Sequence, residues 1–106
     1  MGGNVKLDIT AEGMRPGVHV AAQMLRTLAN QQRLRILCLL ACGERTVGDL
    51  TRETGMRQAA ASQQLQRLRA ESIVSARREG RHVFYSLSDP AVLAIIRTLH
   101  RIYCQK

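Results

Sequence analysis

Gln58, Ala59, Ser62, Gln63 and Gln66 recur along one side of a helical wheel, and side chains of this kind suit the edges of DNA bases. Amides and hydroxyls donate and accept hydrogen bonds, and an alanine methyl can meet the methyl of thymine in a major groove. A helix face meant only for water more often carries Glu and Lys one turn apart. This one is polar, mostly uncharged, and starts with small side chains. Arg57, Arg67 and Arg69 surround it, where guanidinium groups reach phosphates. The opposite stripe, Ala61, Leu65 and Leu68, has the spacing of a buried helix face. The other reactive groups are three thiols, Cys38, Cys42 and Cys104. Their odd number and wide spacing do not fit a secreted disulfide framework. They suit small buried hydrophobes, nucleophiles or soft-metal ligands.

These groups need a scaffold, and the patterning supplies one. Met1 to Pro16 contains glycines, a proline and no sustained period, so residues 1–16 read as a flexible arm. Residues 17–106 read as one domain. Val18, Ala21, Ala22, Leu25 and Leu28 predict helix 1. Asn30 is a cap for helix 2, Gln31 to Ala41, in which Leu34, Leu37, Cys38 and Ala41 form one stripe. Ile36, Leu39 and Leu40 widen that stripe, so helix 2 is expected at the buried centre, ending at Gly43. Thr46-Val-Gly-Asp49 has capping-box spacing and starts helix 3, through Thr54, with Val47 and Leu50 inward. Gly55 makes the turn, and helix 4 follows from about Arg57 to Ala70. Two short helices joined at a glycine, the second polar outside, are the pattern of a helix-turn-helix.

Ile73 to Arg78 predicts a strand, Glu79-Gly80 a turn, and His82 to Leu87 a second strand with alternating character. A hairpin after a helix-turn-helix is a wing. Its basic tip puts Arg78, Arg81 and His82 where a strand ribbon would follow phosphates. Asp89-Pro90 starts helix 5, whose period runs through Val92, Ile95, Ile96, Leu99, Ile102 and Tyr103. The expected fold is mainly α with a β-hairpin wing (α+β), a winged helix-turn-helix in the order α1-α2-α3-α4-β1-β2-α5. Helices 1 and 5 are the natural pair to bury across the two-fold axis of a homodimer.

Composition sets limits. At 106 residues, with 3% aromatics, the chain holds one small aliphatic core that gains by burying more surface in a dimer. Sixteen Lys and Arg against eight Asp and Glu give a net charge of +8, which favours a polyanionic partner such as double-stranded DNA. Half of that excess lies between residues 52 and 81, around helix 4 and the wing. No apolar run approaches a membrane span, and no signal-peptide apolar region opens the chain, so a cytoplasmic protein with no membrane partner is expected. No Cys-x-x-Cys is present and no base is evident beside a thiol, which argues against a thiol enzyme. No cofactor is implied.

Four segments match one family in order and spacing: Leu28-Ala-Asn-Gln-Gln-Arg-Leu-Arg-Ile-Leu37, Gly43-Glu-Arg-Thr-Val-Gly-Asp-Leu50, Ala61-Ser-Gln-Gln-Leu65 and Arg77-Arg-Glu-Gly-Arg81. Over residues 18 to 104 the chain resembles the ArsR/SmtB winged-helix repressors. The resemblance implies a homodimeric bacterial repressor that binds an imperfect palindrome and releases it on meeting an inducer. It implies base reading by Gln58, Ala59, Ser62 and Gln63, and phosphate contacts from Arg57, Arg67, Arg78 and Arg81. Gln64 stands where the family often has His and joins the expected DNA-binding set, with His82 at the wing.

Many members of that family sense metals. One of their sites places thiolates in helix 3, where this chain has Thr46, Val47 and Gly48. Another spans helix 5, where only Asp89 matches and Ala91, Ile102 and Gln105 stand at the other ligand positions. No metal is therefore expected. Ile36-Leu-Cys38 and Leu99-His-Arg-Ile-Tyr-Cys104 resemble instead the persulfide-sensing, BigR/SqrR/HlyU-like subgroup. That resemblance implies Cys38 and Cys104 as the sensing pair, joined by a sulfur bridge when persulfides or polysulfides are present. Arg35 and Arg101 lie nearby in sequence and are expected to favour the thiolate. Cys42 is extra to the pair. A metal-responsive or general redox-responsive member, and a derepressor that displaces a silencer, stay open on the residues alone.

Overall fold

The computed structural model describes residues 11–104, which divide into two compact units between Asn30 and Gln31. The first unit holds helix α1, Ala11–Leu28. The helix runs back into the stretch expected as an arm, through Gly13, Pro16 and Gly17. A proline's fixed φ lies within the helical range, so the chain stays helical through Pro16 at the loss of one backbone N–H donor. The rest of the expected arm, residues 1–10, lies outside the described residues. Val18, Val20 and Leu25 are exposed on α1.

The second unit contains α2 (Gln31–Cys42), α3 (Val47–Thr54), α4 (Gln58–Ala70), the strands β1 (Val74–Glu79) and β2 (His82–Leu87), and α5 (Pro90–Leu99). Its core is aliphatic: Ile36, Leu37 and Leu40 of α2 meet Leu50, Leu65, Leu68, Ile73, Val92 and Ile96 from the surrounding elements. α2 packs against α3, α5 and β2, which makes it the centre. The buried stripe is not the expected one, however. It runs Arg33, Ile36, Leu37, Leu40, and leaves Cys38 exposed with Leu34, Leu39 and Ala41 half-buried. α2 is apolar on most sides, so periodicity alone did not fix which side faces inward.

α3 begins with the expected capping box. Asp49 N donates to Thr46 Oγ1 at 3.0 Å, and Thr46 N donates to Asp49 Oδ2 at 2.9 Å. The Thr46 backbone N–H on its carboxylate holds Asp49 below the usual carboxylate range. Gly55, at φ 76°, ends α3 in the left-handed region where a side chain would be strained. α4 ends without a glycine. Ser72 takes the left-handed position at φ 61°, while Ile73 N donates to Leu68 O and Ser72 N to Arg69 O, the two bonds of a Schellman motif.

The hairpin is antiparallel, with Val74 opposite Leu87 and Glu79 opposite His82. Its two-residue loop is Gly80-Arg81, one position beyond the expected turn, because Gly80 at φ 61° supplies the first central residue of a primed turn. Asp89 caps α5 by accepting from Ala91 N and Val92 N, ahead of Pro90. α5 was expected to continue unbroken. Instead a π-helical turn, His100–Cys104, follows Leu99. Its wider i→i+5 spacing carries side chains off the stripe begun by Val92 and Ile96. Ile102 and Tyr103 consequently lie 61% and 77% exposed.

Candidate nucleic-acid interface and thiol cluster

α4 is clamped from inside by Ala61, Leu65 and Leu68, all fully buried. That fixes which side faces out. Gln58, Ala59, Gln63, Gln66, Arg57, Arg67 and Arg69 are exposed, and Ser62 is half-buried at the edge of the same face. Arg57 occupies the N-cap position in an extended conformation, and no side chain caps the helix. The first-turn amides therefore point outward beside a guanidinium, with no acidic residue in that turn. Such an end favours an anion.

Gln64 departs from the expected role. It is half-buried, and its Oε1 accepts from Arg33 Nε at 3.0 Å. Arg33 is the buried charged residue of the core, 8% exposed, and Gln64 is turned toward it. An amide directed inward is poorly placed to read a base, so Gln64 leaves the candidate base-reading set. Neither residue signalled the pairing in the sequence. An arginine beside Arg35 and two glutamines reads as surface.

The wing carries Arg78, Arg81 and His82 exposed at its tip. Arg81 and His82 also line a shallow hollow of about 610 Å³ between β2 and α3, with Arg52 and Thr46. Arg77, next to them, is occupied. Its Nε and Nη2 donate to Glu44 Oε2 and Oε1 at 2.9 and 2.8 Å, and its guanidinium lies 4.6 Å from the centre of the Phe84 ring. The paired guanidinium holds the Glu44 carboxyl below the usual range and raises Arg77 further. Arg45 and Tyr85 exchange backbone hydrogen bonds of 3.1 and 2.8 Å. Together these contacts tie the wing to the loop after α2. They join residues far apart in sequence, so the sequence offered no local signal for them.

The three thiols are free and exposed. Cys38 lies in a groove of about 300 Å³ with Leu34, Leu39, Arg35, Gln31 and Glu53. Desolvation raises the pKa of the Cys38 thiol, and the nearby Cys104 and Cys42 raise it further. The expected activation by Arg35 is thus overturned for Cys38. Arg35 is directed elsewhere, donating to Thr54 O at 3.1 Å and to Glu53 O at 3.4 Å. Cys104 acts on the charge of Cys38, although one is on α2 and the other ends the π-helical turn.

Among the described residues, no three His, Cys, Asp or Glu side chains are grouped to hold a metal ion, and no helix is long and apolar enough to cross a membrane. Residues 30–76 match the model of the family described as "Bacterial regulatory protein, arsR family". The chain is 45% identical over 85 residues to the transcriptional activator HlyU of Vibrio cholerae, covering 80% of this chain and 79% of that protein. It is 38% identical over 97 residues to the biofilm growth-associated repressor of Agrobacterium fabrum, covering 92% of this chain and 83% of the relative. Among solved structures it is similar to the transcriptional repressor BigR of Xylella fastidiosa, with a TM-score of 0.84 at 35% identity, over 92% of this chain and 100% of that one.

Proposed function

The chain belongs to the ArsR family of bacterial regulatory proteins, and from that footing we propose that it is a transcriptional repressor released from its operator when sulfur bridges Cys38 and Cys104. It is a DNA-binding winged-helix regulator, not an enzyme. Gln58, Ala59, Ser62 and Gln63 face the bases, and Arg57, Arg67, Arg78, Arg81 and His82 hold phosphates. Two copies form a homodimer through α1 and α5, so that two α4 helices read the halves of an imperfect palindrome. Val18, Val20 and Leu25 on α1, and Ile102 and Tyr103 after α5, supply the apolar surface.

The inducer is a reactive sulfur species, a persulfide or polysulfide. The support for this is that two exposed thiols far apart in sequence interact, Cys104 adding to the raised pKa of Cys38. A direct disulfide needs Cβ atoms about 3.5–4.5 Å apart, and each inserted sulfur adds up to about 2 Å of reach. Such a bridge ties the π-helical turn to α2 and re-aims the two α4 helices of the dimer. Coupling of about 1–3 kcal/mol is enough for a regulatory response.

A duplex selected from a random-sequence pool, followed by fluorescence anisotropy, tests the reading. The wild type binds the duplex and loses affinity on addition of sodium tetrasulfide. Cys38→Ser and Cys104→Ser bind as tightly and ignore tetrasulfide. A full response from either variant overturns the assigned pair.

A further inference from the structure

We propose that Cys42 is a second sulfur partner for Cys38, the two closing a trisulfide within α2 that competes with the link to Cys104. The proposal rests on the reading that Cys38 accepts sulfur from a polysulfide. Cys38 and Cys42 stand one turn apart on the same helix, and both are exposed. Side chains at i and i+4 have Cβ atoms about 5–6 Å apart. A disulfide needs about 3.5–4.5 Å, so a direct bond would unwind the end of α2. One additional sulfur, joined by bonds of about 2 Å, spans the gap without moving the helix. Cys42 is the last residue of α2 and Gly43 follows, so no later turn of the helix covers it. The nearby Cys42 also contributes to the raised pKa of Cys38, as expected for neighbouring thiols.

The chemistry balances with tetrasulfide, HS–S–S–SH, as both oxidant and sulfur donor. The Cys38 thiolate attacks an inner sulfur. A bond forms from Cys38 Sγ to that atom, the central S–S bond breaks, and HS–S⁻ leaves with the electron pair. Cys38 then carries –S–SH on its own sulfur. The Cys42 thiolate attacks the first added sulfur and expels the terminal one as HS⁻. Two S–S bonds of the donor break and two form; the two thiols give up two electrons in all, carried off by the expelled HS–S⁻ and HS⁻, and the thiol protons go to solvent. The product joins two points of one helix and leaves the π-helical turn unlinked. Cys42 therefore diverts sulfur from the link that releases DNA and sets the dose at which the regulator responds.

Peptide mapping of the full chain tests this directly. Trypsin cuts after Arg35, Arg45 and Arg101, so Cys38 and Cys42 share the peptide Ile36–Arg45 while Cys104 lies in Ile102–Lys106. After tetrasulfide and alkylation, Cys104→Ser should yield Ile36–Arg45 heavier by one sulfur and lighter by two hydrogens. Hydrogen peroxide should give no such bridge. If Cys42 is alkylated as a free thiol in every tetrasulfide-treated species, the proposal fails; a Cys38–Cys104 link present in the same wild-type sample leaves the function proposed above standing. A bridged Ile36–Arg45 in wild type with no link to Ile102–Lys106 supports the proposal and overturns that trigger. In DNA release, Cys42→Ser should lower the tetrasulfide dose for half response about two-fold if the partners compete equally. An unchanged or higher dose removes the diverting role.

Discussion

Arg33 donates through Nε to Oε1 of Gln64 at 3.0 Å, so a buried guanidinium on α2 holds the middle of α4 from its inner side. α2 is also the helix that carries Cys38. One rigid element thus carries a thiol on its outer side and grips the candidate reading helix on its inner side.

The first prediction tests that grip. Gln64→Leu leaves a buried charge short of an acceptor, which destabilises by about 1–3 kcal/mol. Replacing both members, Arg33→Leu with Gln64→Leu, removes the need for an acceptor and recovers part of the loss. Urea unfolding of both single variants and the double, at one protein concentration, gives the coupling. Additive losses would mean that the contact does not hold α4.

The second prediction concerns the clasp at the root of the wing. Arg77 depresses the Glu44 carboxyl through a two-point hydrogen bond. A group with a lowered folded pKa contributes stability that is full above its unfolded pKa, about 4.3 for Glu, and is lost as pH falls through the lower folded value. Glu44→Gln should therefore be less stable than wild type at pH 7, with the gap closing as pH falls below about 4. Asp49 is depressed as well, but it is present in both proteins and shifts both curves alike. Thermal unfolding across the acid range checks this, and a gap constant with pH rules out the pair as its source.

How far the sequence revealed this fold depends on how local each signal is. Thr46, Asp49 and Gly55 delimit α3 through bonds within a few residues, and the pattern Thr-x-x-Asp states them outright. Asp89-Pro90 and the outward polar face of α4 were legible for the same reason. The side of α2 that faces inward was not, because an apolar helix with a buried arginine offers no contrast between its faces. The Arg45–Tyr85 bridge and the Arg77–Glu44 pair depend on how loop and wing meet in space. The π-helical turn hides in a sequence that keeps a 3.6-residue apolar period almost to Cys104.

The third prediction follows from the Cys38 thiol. Desolvation leads and the neighbouring thiols add to it, so Cys38 ionises above the ordinary thiol value of about 8.5. Alkylation of Cys38 by iodoacetamide, followed by mass spectrometry, should rise with pH through a midpoint above that value. Cys104→Ser removes the second cause and moves the midpoint down, though not below the ordinary value, because desolvation remains. A wild-type midpoint below about 8 would restore activation by a neighbouring cation.

The fourth prediction separates reading from anchoring on DNA. Arg81 is exposed at the wing tip, while Gln63 lies in the middle of the outward face of α4. A phosphate contact weakens binding to every sequence and contributes about 0.9 to the slope of log affinity against log salt. A dimer loses two such contacts, so Arg81→Ala should flatten that slope by about 2 and weaken selected and scrambled duplexes alike. Gln63→Ala should keep the slope and lose about 1–3 kcal/mol on the selected duplex alone, narrowing its preference over scrambled DNA. Anisotropy titrations at several salt concentrations, on both duplexes, measure both quantities together. If Gln63→Ala flattens the slope while Arg81→Ala erodes only the sequence preference, the roles of α4 and wing are exchanged, and the docking that places α4 in the major groove is wrong.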